Sequence, residues 1–93
     1  MSKLILSLVE QRYRDKIDYE MRALNSSLRS EVRDNRVKFR WSSPWTKELY
    51  TIEGTIVDAS WNTDNCASLT IGFKCPEDDS DMTVVRKTHE LLE

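Results

Sequence analysis

Residues 48–75 read ELYTIEGTIVDASWNTDNCASLTIGFKC, and this stretch predicts a β-hairpin. Apolar residues alternate with polar ones on each side of the polar segment 62–65, which is typical of strands with one buried face. We expect the first strand to run from Glu48 to Trp61 and the second from Cys66 to Cys75. The alternation changes parity near Ile56, so the buried face of the first strand is expected to switch there.

The predicted register of the hairpin follows from pairing Trp61 with Cys66. This pairing places Ile56 opposite Ile71, so that two large aliphatic side chains meet on one face. A one-residue slip would turn every side chain to the other face, which makes the register specific.

A further strand is predicted just before the hairpin, where residues 36–41 read RVKFRW. Its apolar members face one way and its basic members, Arg36, Lys38 and Arg40, face the other. Pro44 ends this strand, because proline supplies no backbone donor. A turn carrying Trp45 is expected to follow.

Helices are predicted at both ends of the chain. From Leu6 to Val32 apolar residues recur at steps of three and four, which indicates one long amphipathic helix. Asn25, Ser26 and Ser27 are poorer helix formers, so a break or kink there is an open alternative. Met82 to Leu92 is interpreted as a short helix whose start is capped by the preceding acidic residues. The predicted fold class is therefore α+β in the order α-β-β-β-α, with the two helices packed on a three-stranded antiparallel meander.

Length and composition set the broad class. The chain has 93 residues, with 39% hydrophobic and 32% charged residues, which predicts a single folded domain over residues 1–93. The longest mainly apolar run, Leu4 to Val9, is far shorter than the ~20 residues that span a bilayer, and no small-residue cleavage site follows it. We therefore expect a cytoplasmic protein with no membrane partner.

The charge is distributed unevenly along the chain. Residues 1–47 carry a formal charge of +5 and residues 48–93 a charge of −7. Such asymmetry predicts either two halves that neutralise each other or a bipolar surface that meets charged partners. Self-association, through the basic strand and the acidic half or through the long helix, is one expected consequence.

The residue inventory argues against an enzyme and against bound cofactors. Cys66, Cys75 and His89 match no metal-binding spacing, so no metal site is predicted. His89 is the only histidine, and no motif in the sequence brings a nucleophile or carboxylate within hydrogen-bond reach of it for catalysis. With only two glycines, the chain contains no glycine-rich loop of the kind that cradles phosphate groups.

The basic strand and the turn after it form the first candidate site, with Arg36, Lys38, Arg40, Trp45 and Lys47 as its members. Three interpretations are open: protection of an edge strand or simple solvation of its face, an anionic protein partner, or nucleic acid. Trp45 is expected either to be exposed as a contact residue or to fold back over the sheet edge.

The acidic run Glu77–Asp81 is the second candidate site, represented by Asp78 and Asp79. It is interpreted either as a capped helix start or as a mimic of a nucleic-acid backbone toward a basic enzyme. Calcium is not predicted, because the run lacks the central glycine of an EF-hand loop.

These observations favour binding over catalysis. The leading hypothesis is a small inhibitor or adaptor that covers a partner protein's surface, and the composition suits the small acidic inhibitors that phages and mobile elements encode. The alternative is a nucleic-acid-binding protein that uses Arg36, Lys38, Arg40 and the neighbouring aromatic residues.

Overall fold

The computed structural model describes residues 2–14, 21–62 and 66–92, with side chains described from residue 25 in the second segment. The elements are α1 Lys3–Arg14, α2 Met21–Val32, β1 Arg36–Ser42, β2 Leu49–Trp61, β3 Ala67–Lys74, β4 Asp81–Lys87, a single 3₁₀ turn Thr88–Glu90, and β5 Leu91–Leu92. The predicted α+β class is confirmed.

The sheet contains five antiparallel strands in the order β4-β3-β2-β1-β5. The predicted meander included only the three central strands, so the two edge strands were not predicted. The short helix predicted over residues 82–92 is wrong, because these residues form β4, the 3₁₀ turn and β5. Thr83, Val84 and Val85 are three consecutive β-branched residues, which favour extended backbone. Pairing with β3 from Lys74↔Asp81 to Ser68↔Lys87 then satisfies the backbone of this segment.

The N-terminal region forms two helices and not the predicted single one. Tyr13 at the end of α1 donates its hydroxyl proton to Glu31 of α2, with 2.9 Å between the oxygens. In one continuous helix, residues 18 apart would be separated by about 27 Å. The alternative of a break at Asn25–Ser27 is not what the structure has, since these residues lie inside α2.

The predicted apolar stripe is confirmed for the side chains that the structure describes. Leu6, Val9 and Tyr13 of α1 and Leu28 and Val32 of α2 are buried in the core. The predicted stripe position Ile17 and the side chains of Met21 and Leu24 lie outside the described residues. No helix of the described segments is long and apolar enough to cross a membrane.

The β2–β3 hairpin is confirmed, with one change of register. Ile56 pairs with Ile71 as predicted, but Trp61 pairs with Ala67 and not with Cys66. A β-bulge between Ile56 and Asp58 inserts one extra residue into β2, which shifts the register beyond it. The same bulge explains the predicted switch of the buried face.

The sheet is strongly curled. β4 and β5 form its opposite edges, yet only the three residues of the 3₁₀ turn separate them along the chain. Four strand spacings would place the edges of a flat sheet about 19 Å apart, whereas the four residue steps from Lys87 to Leu91 span at most about 14 Å. Consistent with this curl, the Arg86 guanidinium of β4 lies 5.6 Å from the ring centre of Phe39 in β1.

Candidate interaction surface

Two loops lie at the same end of the sheet. The first, residues 43–48, joins β1 to β2, and the second, residues 75–80, joins β3 to β4. In an antiparallel meander alternate turns fall at the same end, so these two loops are neighbours. We call them together the double-loop end.

The Glu77 carboxylate of the second loop forms hydrogen bonds to the first loop. It accepts hydrogen bonds from the hydroxyls of Ser43 at 2.5 Å, Thr46 at 2.6 Å and Tyr50 at 3.2 Å. The Ser43 hydrogen bond is the main reason that the pKa of Glu77 lies below its usual value, with Thr46 and Tyr50 adding to the effect. For Tyr50, partial desolvation and then the hydrogen bond to Glu77 raise its pKa.

Hydrogen bonds within the first loop hold its backbone in place. Ser43 is buried, and its hydroxyl oxygen accepts the backbone N–H groups of Trp45 and Thr46, both at 3.2 Å. The Lys47 N–H donates to the Ser43 carbonyl at 3.0 Å, and Lys47 has a φ of 65°. The backbone around Trp45 is therefore held by several hydrogen bonds before any partner arrives.

Trp45 stands out among the three tryptophans. Its side chain is 63% exposed, whereas Trp41 and Trp61 are 7% and 6% exposed in the core. Leu49, at the start of β2 just beyond the loop, is also exposed. Trp45 is therefore exposed to solvent and is not folded back over the sheet edge.

The second loop is fixed internally. The Cys75 N–H donates to the Ser80 carbonyl and the Asp79 N–H to the Cys75 carbonyl, both at 2.8 Å. The Asp78 carboxylate accepts the Ser80 hydroxyl at 2.7 Å and the Ser80 N–H at 3.1 Å, and these hydrogen bonds lower its pKa. The acidic run therefore forms a hairpin turn, so the predicted helix cap is wrong.

The structure brings together only part of the predicted site. Trp45, Lys47, Asp78 and Asp79 lie in the double-loop end. Arg40 lies near that end of β1, whereas Arg36 is at the other end of the strand, about 20 Å from Ser42 for a strand rise of ~3.3 Å per residue.

The basic face of β1 is confirmed, but its surroundings differ from the prediction. β2 pairs with the whole of β1, whereas β5 covers its other edge only at Lys38 and Phe39, so the predicted edge strand is partly covered. Arg36 forms an ion pair with Glu53 at 2.9 Å. The rings of Phe39 and Trp41 are buried on the opposite face, so this strand presents cations without adjacent aromatic surface.

Sequence reasoning missed the central role of Glu77 and of its hydroxyl donors. The available signal was the Ser42-Ser43-Pro44 sequence, which marks a turn but does not identify the distant partner. The Ser43–Glu77 hydrogen bond joins residues 34 apart in the sequence, and only the strand order brings them together.

A second polar cluster lies at the opposite end of β4, beside the 3₁₀ turn. The buried carboxylate of Glu10 accepts hydrogen bonds from the Thr88 hydroxyl and from Arg14, and a cleft of about 240 Å³ lies next to it. Cys66 and His89 contribute to the wall of this cleft. Among the side chains that the structure describes, no group of three or more potential ligands could hold a metal ion.

Comparison of the chain with protein-family models, with curated proteins and with solved structures gave no significant match. Fold and surface together define the class as an α+β protein with two N-terminal helices and a curled five-stranded antiparallel sheet.

Proposed function

We propose that this protein is a non-enzymatic binding module whose double-loop end covers a surface of a partner protein, so that it acts as an inhibitor or adaptor. The observation that carries the proposal is Trp45, which is 63% exposed on a loop whose backbone is already fixed. Exposed aromatic residues dominate the binding energy of many interfaces, and a rigid loop loses little entropy on binding.

The composition of the double-loop end supports a protein partner. Trp45 and Leu49 offer apolar area, while Lys47 and Asp79 are exposed charges in the same two loops. An apolar centre with a charged rim is the usual anatomy of a protein–protein interface. The mixed signs of charge favour a protein over a uniformly anionic nucleic-acid backbone.

The double-loop end lacks the side chain that most often acts as a general acid or base, histidine. His89 lies in the 3₁₀ turn after β4, whereas the second loop precedes β4, so the two are at opposite ends of that strand. The double-loop end therefore offers binding groups without the only histidine of the sequence. We place the proposed partner in the cytoplasm.

The proposal is tested by affinity capture from the cells that produce the protein, followed by titration with the purified partner. Trp45→Ala should weaken binding of that partner by at least tenfold, since truncating a hot-spot residue costs about 2 kcal/mol or more. Leu4→Ala is the matched control, because Leu4 in α1 is also 63% exposed and lies outside the double-loop end. Equal affinities for the wild type and Trp45→Ala would contradict the proposed site.

Direct nucleic-acid binding is the second candidate, and one observation favours it. Among the described residues, Lys38 and Arg40 form no ion pair, so their cations are available to phosphate groups. This function predicts affinity for RNA or DNA that falls steeply with salt and is lost when Arg36, Lys38 and Arg40 are all changed to Glu. Binding that is unchanged in this triple variant would exclude the basic strand as the site.

A further inference from the structure

β4 is an edge strand of the sheet, with β3 paired to one side of it. No strand of the described segments pairs with the other edge of β4, which runs along all seven residues, DMTVVRK. On the other side of the sheet the last strand, β5, has only two residues. Val85, near the middle of β4, is 57% exposed. Long unpaired edges of this kind are templates for the addition of another strand.

The backbone groups on the unpaired edge can be assigned from the ladder. The Cys75 N–H bonds to the Ser80 carbonyl, so these two residues form a hydrogen-bonded pair immediately before the β3–β4 ladder. Hydrogen-bonded and non-hydrogen-bonded pairs alternate in antiparallel strands. The residues of β4 that bond to β3 are therefore the even-numbered ones, and those that direct their N–H and C=O groups outward are Asp81, Thr83, Val85 and Lys87.

Two side-chain contacts agree with this assignment. The Val85 carbonyl accepts a hydrogen bond from the Arg86 guanidinium at 3.0 Å, and the Lys87 N–H donates to the Glu90 carboxylate at 2.8 Å. Both groups thus bond to partners other than β3. Both Thr83 backbone groups and the Val85 N–H remain directed at the open edge.

The sequence of β4 is complementary to itself in the antiparallel direction. When two copies are related by a two-fold axis at Val84, Thr83 lies opposite Val85 of the second copy, and Asp81 lies opposite Lys87 of the second copy. The symmetry produces each pairing twice. In this register the residues that direct backbone groups outward meet one another, and both terminal pairs bring opposite charges together.

We propose that the open edge of β4 is a self-association surface, on which a second copy of this chain adds its own β4 in antiparallel orientation. The interface is isologous, because the same strand contributes both sides. The Arg86 guanidinium leaves the Val85 carbonyl, which then accepts the Thr83 N–H of the second copy. The Lys87 N–H keeps its bond to Glu90, and Lys87 meets Asp81 of the second copy through its side chain. The proposal does not depend on the proposed function, because it uses no residue of the double-loop end.

Sedimentation equilibrium with charge-swap variants tests this interface. The wild type should form dimers in a concentration-dependent manner, and Asp81→Lys should raise the dissociation constant about tenfold, because it replaces two attractive pairs with two repulsive ones. Adding Lys87→Asp to that variant should restore dimerisation to within about threefold, since the opposite charges meet again. Asp81→Lys also breaks the Lys74–Asp81 ion pair within the chain. Glu53→Lys is the matched control, because it makes the same change of charge in the interior of the sheet and likewise breaks an ion pair, Arg36–Glu53.

Amide hydrogen exchange provides a second readout that is independent of these variants. As the protein concentration rises, the amides of Thr83 and Val85 should become protected, whereas those of Met82 and Val84 should be protected at all concentrations. A protein that stays monomeric up to about 1 mM would overturn the proposal. So would dimerisation that Asp81→Lys leaves unchanged, or protection of Thr83 and Val85 that requires a different protein.

Discussion

Gly54 shows how the absence of a side chain permits the packing of the sheet. It lies in β2, buried between Ile71 of β3 and Phe39 of β1. A Cβ atom built at this position would lie 2.6 Å from the Ile71 Cγ2 and 2.8 Å from the Gly72 carbonyl oxygen. Both distances are shorter than van der Waals contact, so two strands and a core ring approach here because residue 54 is glycine.

Gly54→Ala is therefore expected to lower the free energy of unfolding by about 1–3 kcal/mol, the usual cost of overpacking a core. The change is measured by urea denaturation. Gly72→Ala is the control, because its Cβ would meet the Val57 Cγ1 at 3.4 Å, an ordinary contact. If both variants were as stable as the wild type, the close packing around Gly54 would be wrong.

At the scale of elements, the two loops of the double-loop end depend on each other. Glu77 belongs to the loop between β3 and β4, but its carboxylate accepts hydrogen bonds from Ser43, Thr46 and Tyr50 of the neighbouring hairpin. Hydrogen bonds to a carboxylate favour its ionised form. The link between the loops is therefore strongest when Glu77 is charged.

Glu77→Gln should lower the free energy of unfolding at pH 7, and the difference from the wild type should shrink in acid. The hydrogen bonds from Ser43 and its neighbours lower the pKa of Glu77 in the folded state from an ordinary value of 4.5. Its contribution is thus complete above that value and is lost as the pH falls through the lower folded-state pKa. Urea denaturation between pH 7 and pH 3 measures this dependence.

Asp79→Asn is the control for this experiment, because it neutralises a carboxylate in the same loop. Asp79 has a φ of 62°, a left-handed conformation that asparagine also tolerates. Its stability should stay close to that of the wild type across the pH range. A Glu77→Gln difference that did not change with pH would show that the charge of Glu77 does not support the loops.

For the whole molecule, local patterns predicted the elements whose periodicity was unambiguous. The alternation of residues 36–41 and the Ile56–Ile71 pairing are both confirmed. The helix predicted over Met82–Leu92 is wrong. The apolar spacing of this segment fits a helix, but pairing with β3 makes its first part a strand. Trp45 and Asp78 could be identified as candidates, but the Glu77 link between their loops depends on strand order, which local spacing does not reveal.

The proposed role of this protein requires that the double-loop end binds a partner protein. The most direct measurement places a photo-crosslinking amino acid at position 45 and, as a control, at position 4, in the cells that produce the protein. We predict a covalent adduct with one protein from position 45 and none with that protein from position 4. The absence of any protein adduct at position 45, or equal adducts from both positions, would contradict the claim.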